Sequence, residues 1–316
     1  MLNNKQNGFT LLELLLAVGL SAFILSGAYL LFASHRQTYM AQQALVQVQE
    51  GGQAVINVLR NHIRQAGSLG CSAWNEKLKI FNQAASLPEH LPKQFSDVVF
   101  SYHAADNIWS PTLPKYLESR VRKNTDVLVV HQAHVYSTNV AQAMTTTQSS
   151  LILPNDLNLK IGDAITIADC TQADILQVSN ISRSGNHWVI AHQPPYNISF
   201  QLSKTYNTNA EVSILQSAAY YIGDTGRYYA NGESVFALYQ YIGEHQELVE
   251  GVNNLKVEFG IDSNDDTSVD TTTTRIPDKT QGILHTVMLS FETQSSILVD
   301  LKYHFQKWYA TVSLRN

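Results

Sequence analysis

The feature that most constrains this 316-residue chain is an apolar run close to its amino terminus. Residues 9–33 contain a single charged side chain, Glu13. At about 1.5 Å of rise per residue, a helix over this run would be about 37 Å long, enough to cross a hydrocarbon core of about 30 Å. A carboxylate inside such a segment is costly unless it has a partner. The run therefore predicts a membrane-spanning helix whose one carboxylate needs a partner group.

Helical periodicity continues beyond the apolar run. Small and apolar residues recur at spacings of three and four, as on one face of an amphipathic helix: Leu45, Val48, Gly52, Val55, Leu59, Ile63 and Ala66. We predict one helix from Phe9 to Ala66, with Gly67 as its C-cap. A kink is expected at Gly51–Gly52, because each Gly costs about 1 kcal/mol relative to Ala in a helix.

The rest of the chain favours β-structure. Breakers around residues 72–94 indicate a loop with a short helix, and the polar tracts 143–150 and 262–280 indicate loops. Alternating, β-branched and aromatic segments predict strands at 97–103, 126–136, 164–168, 174–181, 187–191, 211–222, 234–242, 255–261, 284–292 and 308–314. Because no helical periods separate these strands, an antiparallel sheet and an α+β fold class are expected.

Composition and motifs argue against several classes of function. The net charge is −5 and there is no basic block, which disfavours nucleic acid as a partner. None of the common hydrolase, metalloprotease or nucleotide-binding motifs is present, so an enzyme is not expected. His131 and His134 are three residues apart in a predicted strand, so they should face opposite sides and not share a metal ion.

The residues around the start of the apolar run resemble a known processing signal. Lys5 in a short polar leader, then Gly8-Phe9-Thr10-Leu11-Leu12-Glu13, is similar to the class III signal of type IV prepilins and pseudopilins. The resemblance implies cleavage after Gly8 by a prepilin peptidase, N-methylation of Phe9 and packing of subunit helices in a filament. It also implies that Glu13 neutralises the terminal amine of a neighbouring subunit. An uncleaved signal anchor is the alternative.

Further segments resemble the PilW-type minor pilins. Gly162–Cys170 with Ala173–Val178 is similar to that family's GD-hydrophobic, DC and ADIFQV segment. Leu248–Asp262 is similar to its LVEGVENL and YGVD segment, Ala310–Asn316 to its carboxyl-terminal strand, and Arg64–Cys71 to its helix exit. Residues 72–150 carry little of the resemblance.

The resemblance implies a pilin-like fold and a role in assembly rather than catalysis. Residues 1–8 would be the leader, 9–34 the transmembrane and filament-core helix, 35–67 its amphipathic continuation, and 68–316 a periplasmic β-rich domain with long loops. The subunit would wait in the inner membrane and later reach the pilus at the cell surface, near the tip. The partners implied are other minor pilins, the major pilin, a tip adhesin, the prepilin peptidase and the inner-membrane assembly platform, in pilus assembly, cell adhesion and twitching motility.

Two other interpretations remain open. A J-type pseudopilin of a type II secretion system carries the same amino-terminal signal and also has a large domain. A membrane-anchored periplasmic binding or enzymatic domain belongs to a different class of function. Cleavage at the Gly8–Phe9 bond distinguishes the second interpretation, and neighbouring genes distinguish the first.

The chain has two cysteines, Cys71 and Cys170. In the periplasm a pair of thiols tends to oxidise, so a disulfide between them is the natural prediction. It would close a loop of about 100 residues, which is worth about 4–5 kcal/mol in the chain-entropy model. Two separate buried thiols are the alternative.

The loop after residue 261 resembles part of a calcium-binding loop. Oxygen-bearing side chains occupy every second position, and Asp262, Asn264, Asp266 and Asp270 are the candidate ligands of a weak site. However, Thr267 stands where the sharp turn favours Gly, and Thr273 stands where a bidentate Glu would lie. A solvated acidic loop is therefore the better interpretation, and no cofactor is expected.

Overall fold

The computed structural model describes residues 10–69, 72–73, 78–91, 98–154, 157–266, 268–275, 282–299 and 301–314. The chain begins as helix α1 (Leu11–Arg64), which has 54 residues, and continues as a β-rich domain. Helix α2 (Lys115–Glu118) is a single turn. The predicted α+β architecture, with a long amino-terminal helix and a large sheet domain, is confirmed.

The strands alternate with short turns over most of the domain. In chain order they are β1 (Ser68–Leu69), β2 (Ser72–Ala73), β3 (Lys79–Asn82), β4 (Val99–Ala105), β5 (Ile108–Ser110), β6 (Val127–Asn139), β7 (Leu151–Leu153), β8 (Ala164–Ala168), β9 (Gln172–Gln177), β10 (Asn180–Ser184), β11 (His187–Ala191), β12 (Glu211–Tyr228), β13 (Ser234–Tyr241), β14 (His245–Glu250), β15 (Val252–Asp262), β16 (Thr271–Thr273), β17 (Ile283–Val299) and β18 (Lys302–Ser313).

Within the described residues these strands form four sheets. The largest has the order β3-β9-β8-β12-β6-β4-β5, with β13 and β14 continuing from β12. A second has the order β16-β15-β17-β18, a third the order β10-β11-β7, and β1 pairs with β2. The purely antiparallel prediction is wrong for β3 and β9, which are parallel. Parallel strands need a long crossover connection, and the chain between β3 and β9 is long enough to provide it.

The second half of α1 packs on the β17–β18 face of the four-stranded sheet. Its buried residues are Ala44, Val48, Gly52, Val55, Ile56, Leu59 and Ile63. The predicted stripe is therefore correct from Val48 onwards but wrong at Leu45, whose side chain is 47% exposed. The stripe begins one residue earlier, at Ala44, which is fully buried.

Gly52 is the point of closest approach between helix and sheet. A Cβ atom added there would overlap the indole ring of Trp308 on β18. The Trp308 Nε1–H donates to Thr293 Oγ1 at 2.8 Å, and the Thr293 hydroxyl donates to the Val48 carbonyl at 3.2 Å. The helix is continuous through Gly51 and Gly52, and Gly52 serves packing. The kink expected at this pair stays a prediction.

The C-cap of helix α1 lies two residues before the predicted one. Gln65 is the C-cap, and its N–H donates to carbonyls of the last turn. Gly67 follows with φ +70°, a conformation that suits glycine, and its N–H donates to the His131 carbonyl at 2.8 Å. The glycine thus turns the chain out of the helix and onto strand β6 instead of capping the helix itself.

The longest strand, β12, runs through more than one hydrophobic core. Val212 belongs to a cluster built largely from residues 140–212. Tyr220 and Ile222 belong to the cluster that covers the helix stripe, together with β15 and β17. Strand β12 therefore ties the part of the domain that carries β7–β11 to the part that holds α1.

Two predicted loops contain strands, and one further strand was missed. Strand β3, which pairs in parallel with β9, lies within residues 72–94, where a loop with a short helix was expected. Strand β16 lies inside the predicted loop 262–280 and pairs with β15. Strand β14 was missed because its sequence, HQELVE, is polar, as suits a half-exposed strand at the end of a sheet.

The Gly52–Trp308 contact gives a testable stability prediction. Gly52→Ala should destabilise the globular domain by about 1–3 kcal/mol, because the added methyl group must displace the indole in a packed core. Urea unfolding of the detergent-solubilised full chain, followed by tryptophan fluorescence, measures this change.

Gly51→Ala is the matched control. Its Cβ would lie 3.9 Å from Val249 Cγ1, an ordinary contact, so helix propensity alone should act and stabilise the domain by up to about 1 kcal/mol. Equal effects of the two substitutions would contradict the packing role of Gly52.

Candidate functional site

The first half of α1 presents a bare apolar surface. Large apolar side chains from Leu11 to Phe32 are exposed, with Leu11 and Phe23 each 78% exposed. The most apolar window of the helix has a mean hydropathy of 2.2, and none of that window is buried against the described chain. By length and composition this segment is able to cross a membrane.

The helix begins with a capping box made by Thr10 and Glu13. The Thr10 N–H and hydroxyl donate to Glu13 Oε2 at 3.0 and 3.1 Å, and the Glu13 N–H donates to Thr10 Oγ1 at 3.3 Å. A carboxylate here also faces the positive end of the helix dipole. The role of Thr10 as N-cap was not predicted from the sequence, although Thr-x-x-Glu before an apolar run is the recognised signature of a capping box.

Several predicted site residues lie outside the described part of the chain. These are Gly8 and Phe9, at the predicted cleavage and methylation site, and Cys71. Cys170 lies in the turn between β8 and β9. The processing site and the Cys71–Cys170 disulfide stay predictions.

The 162–178 segment uses its carboxylates to hold a neighbouring loop. Asp174 is fully buried and accepts from the Ser203 N–H at 3.1 Å and the Tyr206 hydroxyl at 2.8 Å. Asp169 binds the Lys204 ammonium and also accepts from Thr171 and Gln172. Burial works against ionisation of Asp169, but these donors prevail and lower its pKa to about 2. The segment therefore anchors residues 203–206 to strand β9.

The 248–262 segment forms the junction of β14 and β15. Gly251 has φ +77°, and its N–H donates to the Phe236 carbonyl at 2.8 Å. Its own carbonyl accepts from the Gln294 N–H at 2.7 Å. The junction thus connects the largest sheet, through β13, with the sheet that carries the helix.

Asp126 is a second buried carboxylate, and nothing in its sequence context pointed to it. It is fully buried and accepts from the N–H groups of Ala104 and Val257 at 2.8 and 2.9 Å. His103 and Lys256 lie 3.2 and 3.4 Å away. The side chain therefore connects strand β4 to β15 and joins two sheets.

The candidate calcium ligands are engaged in turns of the loop. Asp262 Oδ1 accepts from the N–H groups of Asn264, Asp265 and Asp266. Asp266 Oδ1 accepts from Ser268, and Asp270 Oδ2 from Ser263. Among the described residues no group of three His, Cys, Asp or Glu side chains has a geometry that could hold a metal ion. These hydrogen bonds hold the loop in its turns, and the calcium site stays a prediction.

His131 is a buried core residue. It is 2% exposed, its ring centroid lies 5.4 Å from that of Phe100, and its Nδ1 has no hydrogen-bond partner among the described residues. Burial lowers its pKa to about 3. The side chain of His134 lies outside what the structure describes.

The aromatic residues of β12 and β13 serve mainly in the core. Tyr220 and Tyr221 are at most 1% exposed, and Tyr221 stacks on Tyr239 with ring centroids 5.6 Å apart. Tyr228 is the exception, at 70% exposed. This pattern favours cross-strand packing over a binding surface.

The acidic loop gives one prediction. Isothermal titration of the full chain with calcium should show no saturable heat at micromolar to low millimolar concentrations, because the carboxylates already accept backbone N–H donors. A saturable signal that Asp266→Asn abolishes would contradict this expectation, and Asp163→Asn, outside the loop, is the control.

The buried histidine gives a second prediction. Its pKa is lowered from 6.5 in the unfolded chain, so only the unfolded chain takes up a proton between pH 6.5 and 3. Its contribution to stability is full above about pH 6.5 and falls below it, by up to about 1.4 kcal/mol per pH unit. His131→Leu should make the unfolding free energy flatter between pH 7 and 4.5.

Urea unfolding at several pH values measures this slope, and each variant is compared with itself at pH 7. His304→Leu, on the exposed side of β18, is the control and should keep the wild-type slope. An unchanged slope in His131→Leu would show that this histidine does not set the acid sensitivity.

Comparison with known proteins gives one family match. The family described as prokaryotic N-terminal methylation motif matches residues 3–29, which include Gly8, Phe9 and Glu13. Neither curated proteins nor solved structures gave a match. Together with the bare apolar helix, the motif supports a type IV pilin-like or pseudopilin-like prepilin that is anchored in the inner membrane before assembly.

Proposed function

We propose that the protein is a minor pilin of a type IV pilus, of the PilW type, which acts by assembly rather than catalysis. One observation carries the proposal. The methylation motif leads directly into a continuous helix whose first half is bare and apolar and whose second half is buried on a folded domain. Such a helix serves first as a membrane anchor and then as a filament core.

The bare half of α1 is suited to packing against other helices. Gly19 and Gly27 have no atom of the described chain within 4 Å of a Cβ built on them. Each glycine costs helix stability, and no contact with the described residues compensates for that cost. In apolar surroundings small residues let helices approach closely, so these positions suit neighbouring subunits.

Glu13 has the geometry for a second partner. The three hydrogen bonds of the capping box use Oε2 and leave Oε1 outside the box. A terminal amine of a neighbouring subunit is able to approach Oε1 while Thr10 keeps its cap. The ion pair would offset the cost of the carboxylate in apolar surroundings and fix the axial register of the subunits.

The domain's two fully buried carboxylates, Asp126 and Asp174, are hydrogen-bonded within the fold. We infer that the domain contacts other minor pilins, the major pilin and a tip adhesin, in a complex that primes the filament and ends near its tip. A J-type pseudopilin shares the amino-terminal signal, and complementation of a pilus strain against a secretion strain separates the two.

Substitution of Glu13 tests the assembly role. Glu13→Ala should be cleaved and methylated normally, yet surface piliation should fall at least tenfold, because the register ion pair is lost. Electron microscopy and shear preparation of filaments measure piliation, and mass spectrometry of the mature amino terminus measures processing.

Glu50→Ala is the control on the same helix, exposed and outside the apolar run. It should leave piliation within twofold of wild type. Normal piliation of Glu13→Ala would overturn the register role, and an intact Gly8–Phe9 bond in the wild-type protein would overturn the proposed function.

A further inference from the structure

Strand β18 is an open edge of the four-stranded sheet. The order of that sheet is β16-β15-β17-β18, so within the described residues β18 pairs with β17 alone. The two strands keep one register from the Thr286–Ser313 pair to the Gln294–Phe305 pair, and the irregularity lies beyond that point. Residues 305–313 therefore form a regular edge of about 27 Å.

Half of the backbone hydrogen-bonding groups of this edge point away from β17. The Leu314 N–H donates to the His285 carbonyl at 3.0 Å. Antiparallel partners exchange such bonds at every second residue, so the even-numbered residues from 306 to 312 bond β17. The N–H and carbonyl groups of the odd-numbered residues from 305 to 313 consequently lie on the open side, where an extended chain is able to pair with them.

The side chains of the same odd-numbered residues form an exposed stripe. Phe305 and Tyr309 are 59% and 76% exposed, whereas Trp308 and Val312 pack in the core that covers the helix. Lys307 lies between the two rings along the strand. Its side chain is 70% exposed, although the ammonium lies 3.3 Å from a Glu292 carboxylate oxygen. The stripe therefore alternates ring, ammonium and ring.

The edge lacks the features that usually protect an edge strand from pairing. Natural proteins block such edges with proline, with several charged side chains or with bulges. Residues 304–313 contain no proline and a single lysine, Lys307, and their register is regular from 305 onwards. Two exposed rings on an unprotected edge indicate a docking surface.

We propose that the β18 edge docks an extended segment of another protein, which adds a fifth strand to the sheet. Backbone pairing with residues 305–313 would supply affinity, because neither a lipid nor a helix presents free backbone groups at strand spacing. The stripe would supply specificity, with apolar side chains of the segment beside Phe305 and Tyr309 and a carboxylate beside Lys307. Strand β18 has no acidic residue to repel that carboxylate.

A second copy of this chain does not suit the edge. Thr293 on β17 bonds the helix at Val48, and the Ser296 N–H donates to Gln47 Oε1 at 2.9 Å. Residue numbers thus rise along β17 as they fall along α1, so β18 runs in the same direction as α1. Two copies joined antiparallel through β18 would have opposed helices, whereas helices in one membrane or one filament share a direction. This step alone rests on the proposed function.

Peptide binding to the detergent-solubilised full chain tests the proposal. The probe is a fluorescent nine-residue peptide that alternates valine and threonine and has a glutamate in place of its central valine. Fluorescence anisotropy should show saturable binding. An analogue with N-methylated amides keeps the side chains but cannot pair, so it should bind at least tenfold more weakly. A lysine in place of the glutamate should weaken binding at least threefold.

Two outcomes would overturn strand addition: no saturable binding up to 1 mM peptide, or equal binding of the N-methylated analogue. Equal binding of the lysine peptide would overturn the preference for a carboxylate. None of these outcomes changes the expected effect of Glu13→Ala on piliation, so this inference is able to fail while the proposed function stands.

A matched pair of variants places the peptide on the edge. Thr311 is exposed and its N–H lies on the open side, so Thr311→Pro removes that donor without removing a bond to β17. Thr311→Pro should weaken peptide binding at least fivefold, whereas Thr311→Ala should stay within twofold of wild type. Urea unfolding shows whether both variants fold. Equal binding by two folded variants would overturn the site.

Lys307→Glu keeps the test decisive if the proline variant does not fold. It should reverse the preference of the protein, so that the lysine peptide binds more tightly than the glutamate peptide. An unchanged preference would overturn the contact at Lys307. Sedimentation of the full chain in detergent should give a monomer, and a dimer that Thr311→Pro dissociates would assign the edge to a second copy and overturn the proposed partner.

Discussion

The contact between Gly52 and the Trp308 indole sets how closely helix α1 lies on its sheet. The indole occupies the space of a missing side chain and is held in place by its hydrogen bond to Thr293, which in turn bonds the helix at Val48. The stripe from Ala44 to Ile63 is buried because this spacing is short. The same helix has no such cover before residue 40, so one continuous rod passes from an unburied apolar surface to a packed core.

Buried carboxylates connect the parts of the β-domain. Asp126 links β4 to β15, and Asp174 links β9 to residues 203–206, each through backbone N–H or hydroxyl donors. A buried carboxylate that is fully hydrogen-bonded specifies one arrangement, because any slip would leave a charge without partners. Asp174, in the 173–178 segment, therefore has a structural role in this fold.

Much of this architecture follows from sequence patterns, and the exceptions have physical causes. The helix, its stripe from Val48 to Ile63 and most strands follow from periodicity. Helix propensity alone marks Gly51–Gly52 as unfavourable. Gly52 is nevertheless required for the close packing of Trp308, which lies 256 positions later in the sequence. Strand β14 and the pairing of β3 with β9 depend on neighbours distant in sequence, which no local pattern records. The capping role of Thr10 could have been predicted, because its signature is local in sequence. The role of Asp126 could not, because an acidic residue before a strand is common and its partners are distant in sequence.

The alignment of the β17–β18 hairpin with α1 has a mechanical consequence. Residues 286–299 of β17 pair with residues 302–313 of β18, and the hairpin runs alongside the helix instead of across it. Tension applied along the helix therefore acts as a shear force on the hydrogen bonds between β17 and β18, so that many of these bonds resist strand separation together. A hairpin set across the helix would be peeled open one bond at a time. The seam that buries the helix is thus also oriented to carry a pulling force into the domain.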